Sequence, residues 1–401
     1  MRNLSEPYGI IMIAKEITAP AARRMFLFLL VLTVASALGF QGWRTLINNF
    51  AVEVGGLSGF DMGLVQSIRE IPGFLALLVI YLLLFISEHR LGALSVLIMG
   101  LGVALTGLLP TTSGIILTTL IMSFGFHYYE TVNQSLTLQY FDYGTAPLVF
   151  GRLKSLGAAT NILVGVLIFL LSSWLSYAQL FAVLGGIVVL AGAWCLTRDP
   201  SDKELPPQRR EMVFRKRYWL FYVLSLLAGS RRQIFVAFAV FLLVKKFDFS
   251  VQEITILFVV NNVIGYFANP LIGRAVNRFG ERAVLSLEYA VLIVVFLTYA
   301  YTDSRLVVAC MYIVDHLVFN FSMAIRTFFQ KIADRQDIAP SMAVGFTINH
   351  VAAVAIPALG GILWLVDYRI VFLGGVGLAL GSLALTQLIP GQLAAAGRGR
   401  K

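Results

Sequence analysis

The chain has 401 residues, 58% hydrophobic and only 13% charged, against about a quarter charged in ordinary soluble domains. That composition excludes a soluble globular enzyme and implies a protein embedded in the lipid bilayer. The net charge of +10 raises nucleic acid or acidic lipid as partners, so where the basic residues fall matters more than their sum.

Apolar runs of the roughly 20 residues that cross ~30 Å of hydrocarbon recur along the whole chain. The predicted spans are twelve, at about 25–52, 61–86, 91–110, 113–139, 148–172, 176–196, 218–243, 251–272, 283–301, 305–328, 341–365 and 369–390. The first run begins at Met25, with no short apolar core and small-residue cleavage site before it, and is read as a retained helix. The preceding stretch "YGIIMIAKEI" is too short to argue for a surface helix. With the N-terminus inside, 22 of the 31 basic residues fall on inner segments, seven of them between Arg198 and Arg217. Only Lys245, Lys246, Arg305 and Arg369 fall outside. That asymmetry predicts cytoplasmic termini in a plasma membrane, the inner membrane if the cell is prokaryotic. Nucleic acid is not needed to explain the charge. Cys195 and Cys310 both lie in apolar runs, so neither a disulfide nor a metal cluster is expected.

The one long polar connection, residues 197–217, "TRDPSDKELPPQRREMVFRKR", is rich in charge and proline and divides the chain nearly in half. The two halves resemble each other. "WRTLINNF" from Trp43 matches "RRQIFVAF" from Arg231, and the step from Arg44 to Gly92, like that from Arg232 to Gly280, is 48 residues. Later, "WLSYAQLF" from Trp174 answers "WLVDYRIVF" from Trp364. The expected organisation is a six-helix bundle at 1–196, a cytoplasmic linker at 197–217 and a second six-helix bundle at 218–401.

Between spans eight and nine stands "GRAVNRFGER", residues 273–282. It is similar to the cytoplasmic G-x-L-a-D-r-x-G-r-k loop of the major facilitator superfamily, with Gly273, Arg278 and Gly280 matching and Asn277 where that family usually has aspartate. The equivalent loop after span two, "FISEHRLGAL", matches only at Arg90 and Gly92. Over essentially its whole length the chain therefore resembles this superfamily, which implies an all-α fold of twelve helices in two pseudo-symmetric six-helix bundles. It also implies that the two loops, through Gly273, Arg278, Gly280, Arg90 and Gly92, form a conformational latch; two basic glycine-containing turns obeying the charge rule are the plain alternative. The arginine that proton-driven drug antiporters tend to carry in span four is missing here. So is their glycine-proline motif in span five.

A charge at the centre of a span costs about 2.5–3.5 kcal/mol on insertion scales and needs a partner, a cavity or an interface. The resemblance implies that spans one, four, seven and ten line a central cavity, and these hold Arg44; His127, Glu130 and Gln134; Arg231 and Arg232; and Asp315, His316 and Asn320. Spans three, six and twelve carry no interior charge. His127, Glu130 and Gln134 are spaced i, i+3, i+7 and share one helical face. In span ten Tyr312, Asp315, Phe319 and Met323 form the matching series, with His316 and Asn320 beside them. Aromatics with a few charges describe a substrate pocket. The alternative is that Glu130 and Asp315 lock helices by pairing arginines, leaving the histidines as satisfied core residues.

Arg44 and Arg232 occupy corresponding positions of the two halves. That pairing resembles the organophosphate–phosphate antiporters of the superfamily, where one arginine from each half grips the anion; two guanidinium groups hold a phosphate or carboxylate bidentately. Arg44 and Arg232 neutralising Glu130, Asp315 or Glu70 is the competing reading. Arg231, about 100° round the helix from Arg232, cannot share its direction. In span two Pro72 is expected to kink the helix, with Glu70 free to pair an arginine. His350 is expected as a helix–helix hydrogen-bonder, and Asn261 and Asn262 as interhelical glue.

No phosphate-binding loop, metal-ligand cluster or nucleophile–base constellation occurs in the sequence, so neither enzymatic activity nor a cofactor is expected. The expected function is secondary transport of a small organic solute, anionic or amphiphilic, by alternating access. Substrate contacts fall to Arg44, Arg232, His127, Gln134, Asp315, His316 and Phe319, and coupling, to protons or by exchange, falls to Glu130 and Asp315. The expected state is a monomer. The alternatives are a drug or lipid exporter of the same superfamily and a non-transporting membrane sensor or assembly protein.

Overall fold

The computed structural model describes residues 19–398 apart from 58, 210 and 250; residues 8–17, Arg400 and Lys401 lie outside these. Every regular element among the described residues is helical. Among the described residues ten segments are long and apolar enough to cross a membrane, against the twelve expected, and the difference sits in two places. Val251–Tyr301 forms one 51-residue element, but Gly280 within it has φ 78° and ψ 162°. That backbone conformation favours glycine, and it divides the element between expected spans eight and nine. The second place is span four, Thr112–Tyr140, which is 29 residues long but interrupts its own apolarity with the polar run from His127 to Gln134.

Most spans are regular α-helices whose apolar residues are either buried in the core or exposed on the outer surface. Three are not. Span two breaks at Glu70, where Gly59–Arg69 gives way to Ile71–Phe74, a 3₁₀ turn at Leu75–Leu78 and Val79–Leu82. Pro72 accounts for the break, because it cannot donate to the preceding turn. The backbone groups freed there are met by neighbouring helices: Ser123 Oγ donates to the Arg69 carbonyl, and Leu77 N donates to Thr347 Oγ1 at 2.9 Å. Such satisfaction is what lets irregular backbone persist inside a membrane. Span seven widens into a π-helix at Ile234–Ala239, directly after Gln233, and span ten tightens into a 3₁₀ turn at Asn320–Ser322. The spans that carry these departures, two, seven and ten, all line one cavity.

On the side of the 197–217 linker the two halves touch closely. Gly273 on span eight meets the start of span five: a Cβ there would lie 2.3 Å from the Pro147 carbonyl oxygen. Asn277 Nδ2 donates to the Gly144 carbonyl, and Gln330 Nε2 donates to the carbonyls of Leu138 and Phe141, each at 2.7 Å. The linker closes over this contact. Buried Asp337, at the start of span eleven, receives Arg209 at 2.8 Å, Arg215 at 2.7 Å and Tyr218 OH at 2.7 Å, while Asp202 N donates to Tyr140 OH of the first half at 3.1 Å. At the opposite face three polar pairs each stay within one half: Tyr177 with Glu53 at 2.7 Å, Arg305 with Glu253 at 2.6 Å, and Lys246 with Asp303 at 2.9 Å.

Candidate functional site: a charged cavity between the halves

A cavity of about 160 Å³ opens where the broken spans meet. The first half contributes Arg69, Glu70, His127, Glu130 and Gln134, and the second half contributes Arg232, Phe319, Arg326 and His350. A second cavity of about 220 Å³ shares Glu130, Gln134 and Arg326 with it and adds Lys154 and Asn161 of span five. Phe40, Phe126, Phe221, Phe319 and Phe346 line the remaining wall of the first cavity. The chemistry is a set of cations and two carboxylates held against aromatic faces.

Each charged group has a distinct position. Arg69 Nη2 binds Glu70 Oε1 at 2.6 Å, an ion pair made where the helix breaks. Arg232 stands over the Phe319 ring, 5.9 Å from its centroid, and Arg326 over Phe150 at 5.8 Å. Glu130 faces both cavities between them. Lys154 Nζ reaches across from the first half to Asn320 Oδ1 at 3.0 Å; placed among the inner basic residues by the sequence, it lies instead at the cavity. Among the described residues, no carboxylate stands within ion-pairing distance of Arg232 or Arg326.

His127, Glu130, Gln134, Arg232 and Phe319 thus line one space, and Arg44, Asp315 and His316 lie outside it. Arg44 is exposed and stands over Phe258, 5.3 Å from the ring centroid. Asp315 is buried within the second half, close to Tyr299 and Arg231, one helical turn away from the cavity-lining Phe319. The His316 ring packs 6.1 Å from Phe235. Arg231 points the other way from its neighbour Arg232: it pairs with Glu288 of span nine at 3.7 Å, donates to Ser382 of span twelve and lies over Tyr289. Sequence reasoning did not single out Glu288, nor Arg326 as a site residue. The signal for Arg326 was present, since it follows Phe319 by seven residues and so returns to the same helical face.

The loop residues separate into two kinds. Gly273 and Asn277 carry contacts between the halves, and Gly280 shapes the turn. Arg278 is exposed and covers Phe279, its ring centroid 5.2 Å away. Arg90 is exposed too, and Gly92 packs inside its own half, where a Cβ would approach Val132 Cγ1 at 3.0 Å.

The family model described as Major Facilitator Superfamily matches residues 17–357. No curated protein matches the chain. Among solved structures, the human organic anion transporter MFSD10 (TETRAN) is similar with a TM-score of 0.72 at 14% identity, over 92% of this chain and 100% of that one. A bacterial homologue of the iron transporter ferroportin, in its outward-facing state, is similar with a TM-score of 0.75 at 14% identity, over 92% and 99%. The transporter FucP in its outward conformation gives 0.72 at 13% identity, over 91% and 98%. At such identities the likeness is one of fold.

Proposed function

The chain belongs to the major facilitator superfamily, a multi-pass membrane fold of transporters, and from that premise we propose that it carries a small organic anion with an apolar portion by alternating access. The observation that carries this reading is the pair Arg232 and Arg326, two guanidinium groups aimed into one aromatic-walled cavity with no carboxylate within ion-pairing reach among the described residues. Four cationic side chains, Arg69, Arg232, Arg326 and Lys154, face the two cavities against the two carboxylates Glu70 and Glu130. The excess calls for an anion, and guanidinium over an aromatic ring offers both a fork for carboxylate or phosphate and a flat apolar surface. The phenylalanine wall takes the rest of the solute, which is also what a drug or lipid exporter of this superfamily would need.

Two bundles, 1–196 and 218–401, rock about this cavity in the proposed cycle, with the 197–217 linker in the cytoplasm. Contact between the halves on the linker side leaves the cavity to the opposite face, an outward-facing state. Glu130, between the two cavities, is the proposed coupling residue. The test is solute-dependent thermal stabilisation of the purified protein across carboxylates, phosphate esters and neutral amphiphiles, followed by uptake into proteoliposomes with and without a pH gradient. Anions should stabilise the protein and Arg232→Gln or Arg326→Gln should abolish the effect. Stabilisation by neutral amphiphiles that survives both changes would replace this reading with amphiphile export. Glu130→Gln should spare binding and remove dependence on the gradient.

A further inference from the structure

One corner of the cavity is built differently from the anion-facing part. Glu70, His127 and His350 come from spans two, four and eleven, and their potential ligand atoms all lie within 4.8 Å of one another. The Nε2 atoms of both histidines are 4.0 Å from Glu70 Oε2. That is too long for a hydrogen bond, and the opposite sides of the rings explain why none forms. His127 Nδ1 lies 2.9 Å from the Ser123 carbonyl and His350 Nδ1 lies 2.9 Å from the Phe346 carbonyl. A carbonyl only accepts, so each Nδ1 carries the proton. For His127 a second contact requires the same tautomer: Ser123 Oγ, 3.0 Å away, already gives its hydrogen to the Arg69 carbonyl and can only accept from the ring. In the neutral rings both Nε2 lone pairs are therefore bare, and they face a carboxylate oxygen.

Three electron-pair donors converging with no hydrogen between them repel one another unless a cation sits among them. We propose that Glu70, His127 and His350 bind a divalent first-row transition metal ion in the transport cavity. Two imidazoles and one carboxylate suit ions such as Zn²⁺, Co²⁺, Fe²⁺ or Ni²⁺ rather than Ca²⁺ and Mg²⁺, which prefer all-oxygen shells, or Cu⁺, which prefers sulfur. Ligand bonds of about 2.0–2.2 Å place donor atoms roughly 3.4 Å apart in a tetrahedral shell, so the three side chains need to close by about 1 Å. The surrounding features fit the same reading. Each ring is oriented by an Nδ1–H to a carbonyl, and Glu70 by Arg69 on its other oxygen at 2.6 Å, the outer partners that fix ligands in metal sites. Gly73 makes the space: a Cβ there would stand 2.3 Å from His350 Cδ2 and 2.8 Å from His127 Cδ2. Three protein ligands leave coordination positions free toward the cavity. Two of the ligands belong to the first half and one to the second, so the ion binds only when the halves are arranged as here, and occupancy biases the conformational equilibrium.

The site uses neither Arg232 nor Arg326, the pair that carries the anion reading, and the two readings fail separately. Co²⁺ is the probe, added to full-length protein purified in detergent and stripped with a chelator, with binding followed by calorimetry and by the ligand-field absorption of the ion. One Co²⁺ per chain, displaced by Zn²⁺, is expected. Glu70→Gln, His127→Gln and His350→Gln should each weaken it by more than about 100-fold, beyond the 10–100-fold that loss of an outer partner costs, while Arg232→Gln, which removes a neighbouring positive charge and no ligand, should not weaken it. X-ray absorption of the Zn²⁺-loaded wild type should show two imidazoles in the first shell, a readout independent of whether any variant folds. A first shell of oxygen alone, or affinity that survives all three substitutions, would overturn the proposal.

Discussion

Arg231 and Arg232 are neighbours on one helix and live in different worlds. Arg231 turns into the second half, where Glu288, Ser382 and the face of Tyr289 enclose it; both it and Glu288 are under 4% exposed. Arg232 turns into the cavity over the Phe319 ring, with no carboxylate within ion-pairing distance among the described residues. A charge sealed with its partner is part of the architecture, because either member left alone would sit in a low-dielectric interior. A charge facing an open cavity without a partner is available to a solute. One hundred degrees of helix separates the two roles, and no count of intramembrane charges would have told them apart.

The sharpest way to break this contrast is to remove each arginine in turn. Arg231→Ala strands Glu288 and should cost about 3–5 kcal/mol of stability, the scale for breaking a buried pair. The loss should be largely recovered in the double change Arg231→Met with Glu288→Leu, which removes both charges. Thermal unfolding in detergent measures it, and an Arg231→Ala protein as stable as the wild type would remove the structural role assigned here. Arg232→Ala is expected to leave the melting temperature near that of the wild type and to weaken anion binding by about 1.5–3 kcal/mol, the scale of a hydrogen bond to a charged group. Arg232→Lys should recover little of it if the grip is bidentate.

How far the sequence disclosed this contrast can be seen in particular residues. Helical spacing placed Glu130, Gln134 and His127 on one face, and they line one cavity. The second glycine of "GRAVNRFGER", Gly280, marked the turn at which a 51-residue element bends. Arg44 shows where the method stops. Its correspondence with Arg232 holds between the two halves of the sequence, but Arg232 lines the cavity while Arg44 stands over Phe258 outside it, so equivalent positions do not present equivalent side chains. Asp315 failed to join the cavity for a related reason, lying one turn before the 3₁₀ segment that brings span ten to it. Glu70, His127 and His350 come from three separate spans, and they meet beside the break in span two. Tertiary approach of that kind leaves no trace in spacing along one helix.

A smaller effect tests whether the cavity is open because the linker side is shut. Gly273 allows span eight to lie on Pro147, and Gly273→Ala inserts a methyl 2.3 Å from that carbonyl oxygen. Overpacking costs about 1–3 kcal/mol, and since the two halves separate at this contact in the proposed cycle, the cost should fall on the present state alone. The variant should fold, but shift accessibility of a cysteine placed beside Gln330 toward labelling from the linker side. Labelling that stays at the wild-type rate would show that this contact does not hold the halves together.

The smallest effect is expected at the opposite face, and its smallness is the point. Arg305 and Glu253 meet at 2.6 Å, but the two side chains are 50% and 42% exposed and both belong to the second half. Water screens such a pair, and holding two long side chains together costs entropy, so exposed ion pairs contribute about 0–1 kcal/mol. Arg305→Ala should therefore lower stability by less than about 1 kcal/mol. It should also leave the state of the transporter alone, because no bond between the halves is lost. Comparing it with Gln330→Ala separates the two faces. Gln330 is buried and donates across the halves to two carbonyls, so its removal should raise labelling from the linker side, whereas Arg305→Ala should not. The pair of measurements depends on neither substrate nor metal. Equal labelling in both variants would mean that closure is not localised to the linker side, and the outward-facing assignment would fall with it.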